Sequence, residues 1–249
     1  MSLVQAKTNQ IVDSKQTEQL VERATASWLI WSAVSTQQRV ELLSKWSELL
    51  SQQRNLDLMP SKIVDFHNQQ ALTLIAEPQI MPGPTGESNT LKSYGRGVFV
   101  IMADDNVPET VFVALICCAL VSGNSLIIAE HPKFNEIITS LECVFSLSTM
   151  EEPVIQIVNK ESIESLILVP SISGMAYAGN QAEAIRLNGL LAQREGQIAQ
   201  FITETDLQGL ETVRDQCLVL RFITEKTETI NVTAVGGNAS LLALGSGDL

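Results

Sequence analysis

Polar residues that could do chemistry follow an apolar run near the middle of the chain. Asp104, Asp105 and Asn106 come after the run GVFVIM and before a helix that Pro108 opens. Folds with parallel strands place their ligands at such strand ends. Two adjacent carboxylates suit acid–base chemistry or a hard cation. They also suit a helix N-terminus, where negative charge is stabilising, and we favour this capping interpretation.

Two further candidates lie later in the chain. Gly179 and Asn180 follow the run GMAYA and open a helix, so their backbone amides are placed to bind a pyrophosphate, although a Gly-Asn helix cap is common. Cys217 is a candidate nucleophile, but its neighbours CLVL are apolar and no histidine is close in sequence. We therefore expect a buried structural cysteine. The chain contains no Walker A, G-x-G-x-x-G, G-x-S-x-G or H-E-x-x-H motif.

The C-terminal stretch INVTAVGGNASLLALG, residues 230–245, contains no charged side chain. Its Gly-Gly-Asn centre offers free amides, which suits either a phosphate cradle or an apolar plug that fits against a partner. A phosphate cradle normally follows a strand and opens a helix. This stretch follows no strand-to-helix turn, opens no helix and holds no Lys or Arg, so the plug is the better interpretation.

The apolar pattern predicts the elements that position these residues. Helical spacing over residues 14–53 predicts two helices joined near Ser35 and Thr36, with three tryptophans as packing anchors. Beyond the proline- and glycine-rich segment 77–89, strand and helix patterns alternate. Strands are predicted at 97–102, 125–130, 154–158, 166–169, 174–178 and 197–202, and helices at 108–121, 135–148 and 181–195.

This order predicts an α/β fold with a Rossmann-like, doubly wound, mostly parallel sheet. N-terminal helices precede the sheet and an extended β tail, CLVLRFITE and onward, follows it. The helix at 108–121 has almost no polar face, so we expect its burial on most sides. The expected divisions are a helical region at 1–76, the Rossmann-like domain at 77–215, and the extended segment with its tail at 216–249.

Charge and composition exclude several classes of function. A net charge of −12 disfavours binding to nucleic acid or to an anionic membrane surface. The polar N-terminus and the lack of a long apolar run predict a cytoplasmic protein without membrane insertion. Four cysteines without a CxxC spacing predict small core residues in a reducing compartment. His67 and His131 have no metal-ligand spacing, so we expect no metal site and two surface histidines.

Two stretches resemble the C-terminal domain of the proline utilization A family. IMPGPTGESNTLKSYGRGVFVIMADD, residues 80–105, resembles the start of that domain, and LRFITEKTETINVTAVGGNASLLALG, residues 220–245, resembles its end. The family joins a flavin-dependent proline dehydrogenase to an NAD-dependent 1-pyrroline-5-carboxylate dehydrogenase. Its longer members add an aldehyde-dehydrogenase-like domain that is regarded as non-catalytic. The residues that match its terminal signature include Asn231, Thr233, Gly236, Gly237, Asn238 and Leu241.

The resemblance implies a vestigial domain whose site residues are remnants. Asn106 matches the oxyanion Asn of working aldehyde dehydrogenases, Glu204 matches their active-site Glu, and Cys217 loosely matches the catalytic Cys segment. Glu130 stands where such enzymes have a ribose-binding Lys. The chain after Cys217 is too short for a substrate domain. We therefore expect no cofactor on this chain, while the parent enzyme uses FAD and NAD.

Two functions follow from the resemblance. In the first, the chain is a non-catalytic domain that supports the parent's 1-pyrroline-5-carboxylate dehydrogenase domain, and its tail covers the internal path of the intermediate. A homodimer through the β tail is a further expectation of this hypothesis. In the second, the chain is an NAD-binding dehydrogenase-like module with residual activity, with its cofactor at Gly179 and Asn180.

Overall fold

The computed structural model describes residues 3–53, 55–83, 86–146 and 153–231, with side chains from residue 15 onward. Within these ranges the helices are α1 (Leu3–Ala33), α2 (Thr36–Gln52), α3 (Met59–Leu74), α4 (Glu109–Val121), α5 (Asn135–Ser146), α6 (Ile163–Ile167) and α7 (Gln181–Leu191). The strands are β1 (Gln79–Met81), β2 (Glu87–Gly95), β3 (Val98–Ala103), β4 (Ser125–Ala129), β5 (Ile155–Val158), β6 (Ile172–Ala178), β7 (Gln200–Glu204) and β8 (Ile223–Asn231).

The N-terminal helices join where the sequence predicts. Ser35 caps α2 with a capping box: its hydroxyl accepts from the Gln38 amide, and the Gln38 side chain accepts from the Ser35 amide. This reciprocal pair satisfies two of the amide donors that a helix start leaves open. The apolar pattern does not predict helix α3, although Pro60 near its start fits a helix N-terminus.

The main sheet is parallel throughout, with the strand order β5-β4-β3-β6-β7. Helices α2 to α5 share the core on one face, while α6, α7 and the middle of α1 pack against the other. Strand β3 lies at the centre, and all six of its residues are buried. The predicted Rossmann-like, doubly wound α/β fold is therefore confirmed.

Helix α4 is buried on every side, as its sequence predicts. Each residue from Val111 to Val121 is buried, and α2, α3 and a 3-10 helix at Leu218–Phe222 pack around it together with the sheet. Its last carbonyls receive side-chain donors: Trp31 Nε1 donates to the Leu120 oxygen at 3.0 Å, and Arg39 Nε donates to the Val121 oxygen at 2.8 Å. These two bonds satisfy carbonyls that a helix end leaves open. They also attach α1 and α2 to the core.

A second, smaller sheet projects from the domain. It is antiparallel, with the order β1-β2-β8, and its two long strands pair from Gly95 with Ile223 to Glu87 with Asn231. Burial falls from the base to the tip, since β8 begins with a buried residue and its last seven residues are exposed. We call this sheet the flap. Of the signature residues, Asn231 ends the flap, whereas Thr233, Gly236, Gly237, Asn238 and Leu241 lie outside the described residues.

Two sequence predictions about the elements are wrong. The run at 166–169 is not a strand, because helix α6 ends at Ile167 within it. Short apolar runs do not distinguish a buried helix from a buried strand. The segment at 216–222 is not extended either. It forms the 3-10 helix at Leu218–Phe222, whose apolar residues close the core beside α4. No helix in the described ranges is both long and apolar enough to cross a bilayer.

Both histidines and two of the cysteines differ from their predicted environments. His67 is fully buried and His131 is 9% exposed, so the prediction of surface positions is wrong. Cys117 and Cys118 are buried as predicted, whereas Cys143 and Cys217 are exposed. His67 lies on α3, and its Nε2 is 2.9 Å from the carbonyl oxygen of Val213. The neutral ring donates there and attaches α3 to the C-terminal segment.

The burial of His67 predicts a pH-dependent stability. Burial lowers the pKa of His67 to about 4, although the Val213 carbonyl and the charge of Asp215 act in the opposite direction. Above pH 6.5 the ring is neutral in both the folded and the unfolded chain. Between about pH 6.5 and 4 only the unfolded chain takes up the proton, which costs the fold about 2 to 3 kcal/mol. Stability is therefore lost as the pH falls through this window.

This loss is measured by urea unfolding of the wild type and of His67→Gln at several pH values from 7 to 4. We expect the variant to be less stable at pH 7, and its deficit to shrink as the pH falls. Comparison of the two chains cancels the carboxylates that titrate in the same range. A deficit that stays constant across this range would contradict the prediction.

Candidate functional site

The carboxyl ends of the parallel strands bring most of the candidate residues together. The turn after β3 holds Asp104 and Asn106, the turn after β6 holds Gly179 and Asn180, and Glu204 ends β7. Backbone bonds join these ends, because the Asp104 amide donates to the Ala178 oxygen and the Gly179 amide donates to the Glu204 oxygen. This is the edge at which doubly wound folds bind nucleotides.

Asp104 is the centre of this corner. Its Oδ2 accepts from the Tyr177 hydroxyl at 2.6 Å, from the Asn180 side-chain amide at 2.9 Å and from the Asn180 backbone amide at 3.2 Å. Lys160 Nζ lies 3.9 Å from Oδ1. Burial, together with the hydrogen bond to Asp104, raises the pKa of Tyr177 well above its usual range. The phenol therefore remains a donor, and the Asp104 carboxylate receives three bonds from within the chain.

The glycine at this corner serves the same cluster. Gly179 has a φ of +153°, and a Cβ there would lie 2.3 Å from both Asp104 Oδ2 and the Tyr177 hydroxyl oxygen. Helix α7 is also capped from within, since Asn180 Oδ1 accepts from the Glu183 amide at 2.9 Å. Close packing of Asp104 and Tyr177 is therefore sufficient to require a glycine here, without any ligand.

Asp105, the neighbour of Asp104, has a different environment. Its side chain is 96% exposed and lies 2.6 Å from His131 Nε2. His131 Nδ1 accepts from the Lys133 amide, which leaves Nε2 to carry the proton that Asp105 accepts. Lys133 Nζ donates to the Val107 oxygen at 2.6 Å and so fastens the turn after β3 to the turn after β4. The predicted helix-capping role of these carboxylates is wrong, since neither caps α4.

A crevice of about 460 Å³ opens between the ends of β3, β4 and β5. Its lining contains three carboxylates, one lysine and one histidine: Asp105, Glu130, Glu161, Lys160 and His131. Glu130 is exposed at the end of β4. Three carboxylates against one lysine make this crevice unfavourable for a phosphate group.

Glu204 is a structural carboxylate in this fold. Its side chain is buried, and its two oxygens accept from the backbone amides of Asp206, Thr212 and Val213 at 3.2, 2.8 and 3.1 Å. These bonds hold the loop that leads from β7 to the C-terminal segment. A carboxylate whose oxygens already accept three amides is poorly placed to take a proton from a substrate.

The other two remnant candidates are both exposed. Asn106 is exposed in the turn after β3. Cys217 is exposed at the start of the 3-10 helix, where its amide donates to Asp215 Oδ1 at 2.9 Å, so the prediction of a buried cysteine is wrong. Across the described part of the chain, no group of three or more His, Cys, Asp or Glu side chains is arranged to hold a metal ion.

The residues at this edge do not fit a dinucleotide. A pyrophosphate at the start of α7 would compete with Asp104 for the Asn180 amide and would lie beside its negative charge. Glu130 would also repel a phosphate group bound in the crevice at the end of β4. Sequence reasoning missed Tyr177, Lys160 and His131 as members of this edge. Their positions at strand ends were the available signal.

Comparisons with known proteins agree with this fold. A putative aldehyde dehydrogenase from Burkholderia cenocepacia covers 77% of this chain and 43% of its own, with a TM-score of 0.65 and 18% identity. The chain therefore has the fold of an aldehyde-dehydrogenase-like domain. A variant of proline utilization A (PutA) from Bradyrhizobium japonicum covers 77% of this chain and 22% of its own, with a TM-score of 0.69 and 26% identity.

The curated relatives include the bifunctional protein PutA of Escherichia coli (strain K12). It is 25% identical over 167 residues, which are 67% of this chain and 11% of that protein. No family model matches the chain. The chain is homologous to an aldehyde-dehydrogenase-like part of PutA, and it spans about a tenth of the length of the curated relatives, 11% of the one from E. coli.

The contrast between Asp104 and Asp105 is testable by mutation. Asp104→Ala leaves the Tyr177 hydroxyl and the Asn180 amide without their acceptor, and we expect it to lower the free energy of unfolding by about 2 to 3 kcal/mol. Asp105→Ala removes an acceptor that is itself almost fully exposed to solvent, which we expect to cost less than about 1 kcal/mol. Urea unfolding of both variants at pH 7 measures the difference. Equal losses would show that Asp104 does not organise this corner.

Proposed function

We propose that this chain is a non-catalytic, aldehyde-dehydrogenase-like domain of a proline-catabolic enzyme of the PutA type. It supports the enzyme's 1-pyrroline-5-carboxylate dehydrogenase domain in the cytoplasm, and its C-terminal tail covers the internal path of the intermediate. The domain itself carries no cofactor, while the parent enzyme uses FAD and NAD. The observation that carries this proposal is the corner at the ends of β3 and β6, which the chain's own side chains fill.

Each remnant position supports a structural role. The anion-binding amide at the start of α7 is bonded to Asp104, and the carboxylate of Glu204 accepts three backbone amides. Among the described residues the ring nitrogens of the two histidines bond to other groups than Cys217: His67 Nε2 to Val213, and His131 to Asp105 and Lys133. A site whose central groups, Asp104, Asn180 and Glu204, bond within the chain stabilises the fold and has little capacity for substrate.

The flap and the tail are the parts that we assign to partners. The flap ends in exposed strands, and β8 forms its outer edge. An edge strand of this kind favours strand pairing with another chain. The residues that follow it, 232–245, are small and apolar, as is required of a segment that lies dry against another domain. A homodimer through this edge is part of the proposal.

Binding of NAD separates this proposal from a residual dehydrogenase. We expect isothermal titration calorimetry of the full chain with NAD to show no saturable heat, because Asp104 opposes a pyrophosphate and Glu130 opposes a phosphate group at the end of β4. Gly179→Trp is the matched variant, since it fills the same corner. Micromolar binding to the wild type that Gly179→Trp abolishes would establish the NAD-binding alternative.

Coupled flux tests the supporting role. The assay uses a PutA enzyme from which the segment homologous to this chain has been removed. We expect addition of this chain to restore proline-to-glutamate flux without a lag, and deletion of residues 230–249 to abolish the restoration. Deletion of residues 3–13, at the opposite terminus, is the control. Absence of any effect of the full chain would overturn the covering role.

A further inference from the structure

A groove lies at the opposite edge of the main sheet from the Asp104 corner. It encloses about 480 Å³ between the end of α1, the base of the flap and the loops before β6 and β7. The lining residues that matter for binding are Trp28, Leu29, Tyr94, Arg96, Ile198 and Lys226. No position matched to a dehydrogenase site lies in it, and it does not rest on the proposed function, although it shares Thr224 and Lys226 with β8, the strand assigned to the proposed homodimer.

The charge of the groove is opposite to that of the chain. Its lining contains Arg96 and Lys226 but no carboxylate, whereas the whole chain carries a net charge of −12. Lys226 lies 5.0 Å from the centre of the Tyr94 ring. Its cross-strand neighbour is Lys92, a second cation, which is paired with Glu228. Like charges directly opposite each other are unfavourable, and a carboxylate beside Lys226 would relieve this repulsion.

Two donors in the walls of the groove have no acceptor. Trp28 Nε1 and Arg96 Nε are buried and have no hydrogen-bond partner among the described residues. In contrast, the indoles of Trp31 and Trp46 both donate, to Leu120 and to Ser140. A buried donor without an acceptor costs about 1 to 3 kcal/mol. Both nitrogens are closed to solvent in this structure, so a guest that brings carbonyl or carboxylate oxygens removes that cost only when these side chains rotate toward the groove.

Apolar side chains stand open at the rim. Ile198 is 97% exposed and Leu29 is 60% exposed, which is unusual for large aliphatic residues that flank a concave surface. A guest with an aliphatic side chain between them would remove both from water. The groove thus combines two cations with no carboxylate in its lining, two buried donors without acceptors and two exposed aliphatic side chains. This combination is typical of a peptide-binding groove. Two cations are too few for a nucleic-acid backbone.

We propose that this groove is a docking site for an acidic, leucine-rich peptide segment of a partner protein. A carboxylate of the segment pairs with Arg96 and Lys226, and a neighbouring aliphatic side chain packs between Leu29 and Ile198. Its backbone carbonyls accept from the orphan donors of the groove. Charge complementarity selects the segment, because the rest of the surface repels acidic peptides.

The three tryptophans provide the test. The full chain, labelled with ¹⁵N, is titrated with the acetylated and amidated peptide Leu-Asp-Leu-Asp-Leu, and the indole N–H cross-peaks are followed. We expect the peptide to shift the cross-peak of Trp28, identified by its loss in Trp28→Phe, and to leave those of Trp31 and Trp46 in place. Arg96→Gln and Lys226→Gln each weaken binding about tenfold.

Matched controls decide the outcome. Lys45→Gln removes the same charge from the exposed face of α2 and leaves the affinity unchanged. Unmoved cross-peaks of Trp31 and Trp46 show that each variant is folded, and either groove variant alone is sufficient for the test. The proposal is overturned if the peptide does not shift the Trp28 indole cross-peak or if the neutral peptide Leu-Asn-Leu-Asn-Leu binds equally well. It is also overturned if acetate at equal carboxylate concentration shifts this cross-peak to the same extent. A dimer in sedimentation equilibrium that Arg96→Gln dissociates would assign the groove to a second copy and would also overturn it.

Discussion

The burial of α4 is the constraint on which the rest of the structure depends. This helix has no polar face, and each fully buried Val, Leu, Ile or Phe side chain contributes about 1.5 to 3 kcal/mol relative to exposure. The sheet covers only one side of such a helix. Helices α2 and α3 and the 3-10 helix at Leu218–Phe222 cover the others. The N-terminal helices and the C-terminal segment therefore share one core with the parallel sheet.

The turn after α4 connects the buried helix to the base of the flap through hydrogen bonds. Asn124 is fully buried. Its side-chain Nδ2 donates to the backbone oxygens of Ala119 and Phe222, and its Oδ1 accepts from the backbone amide of Gly97. Ser122 donates to the Val219 oxygen from the same turn. One buried turn thus fixes the start of β3 and the segment that leads into β8. The base of the flap is held by the core, while its tip is exposed.

The sequence predicts well what a continuous pattern specifies. The apolar run of α4 fits only a buried helix, and the β-branched runs of β3 and β4 fit only buried strands. Together they predict a parallel sheet covered by helices. Short or local signals are less informative. The apolar run at 166–169 is compatible with a strand and with the end of helix α6. Four residues are too few to distinguish the two. Cys217 is exposed because it lies at the start of the 3-10 helix, and His67 is buried against the loop at Val213. Neither the 3-10 helix nor this loop has a local sequence pattern that predicts it.

The candidate site illustrates the same limit at the level of single residues. The sequence places Asp104 and Asp105 at a strand end but does not say which of them turns toward β6. Asp104 does so because its amide bonds to the Ala178 oxygen, which brings its carboxylate beside Tyr177 and Asn180. Once there, it satisfies donors that a nucleotide phosphate would otherwise satisfy. An external anion would have to break these intramolecular bonds and accept a fixed negative charge beside it. In the proposed function, these bonds make the fold of a cofactor-binding domain a rigid support for the flap and the tail, which contact partners.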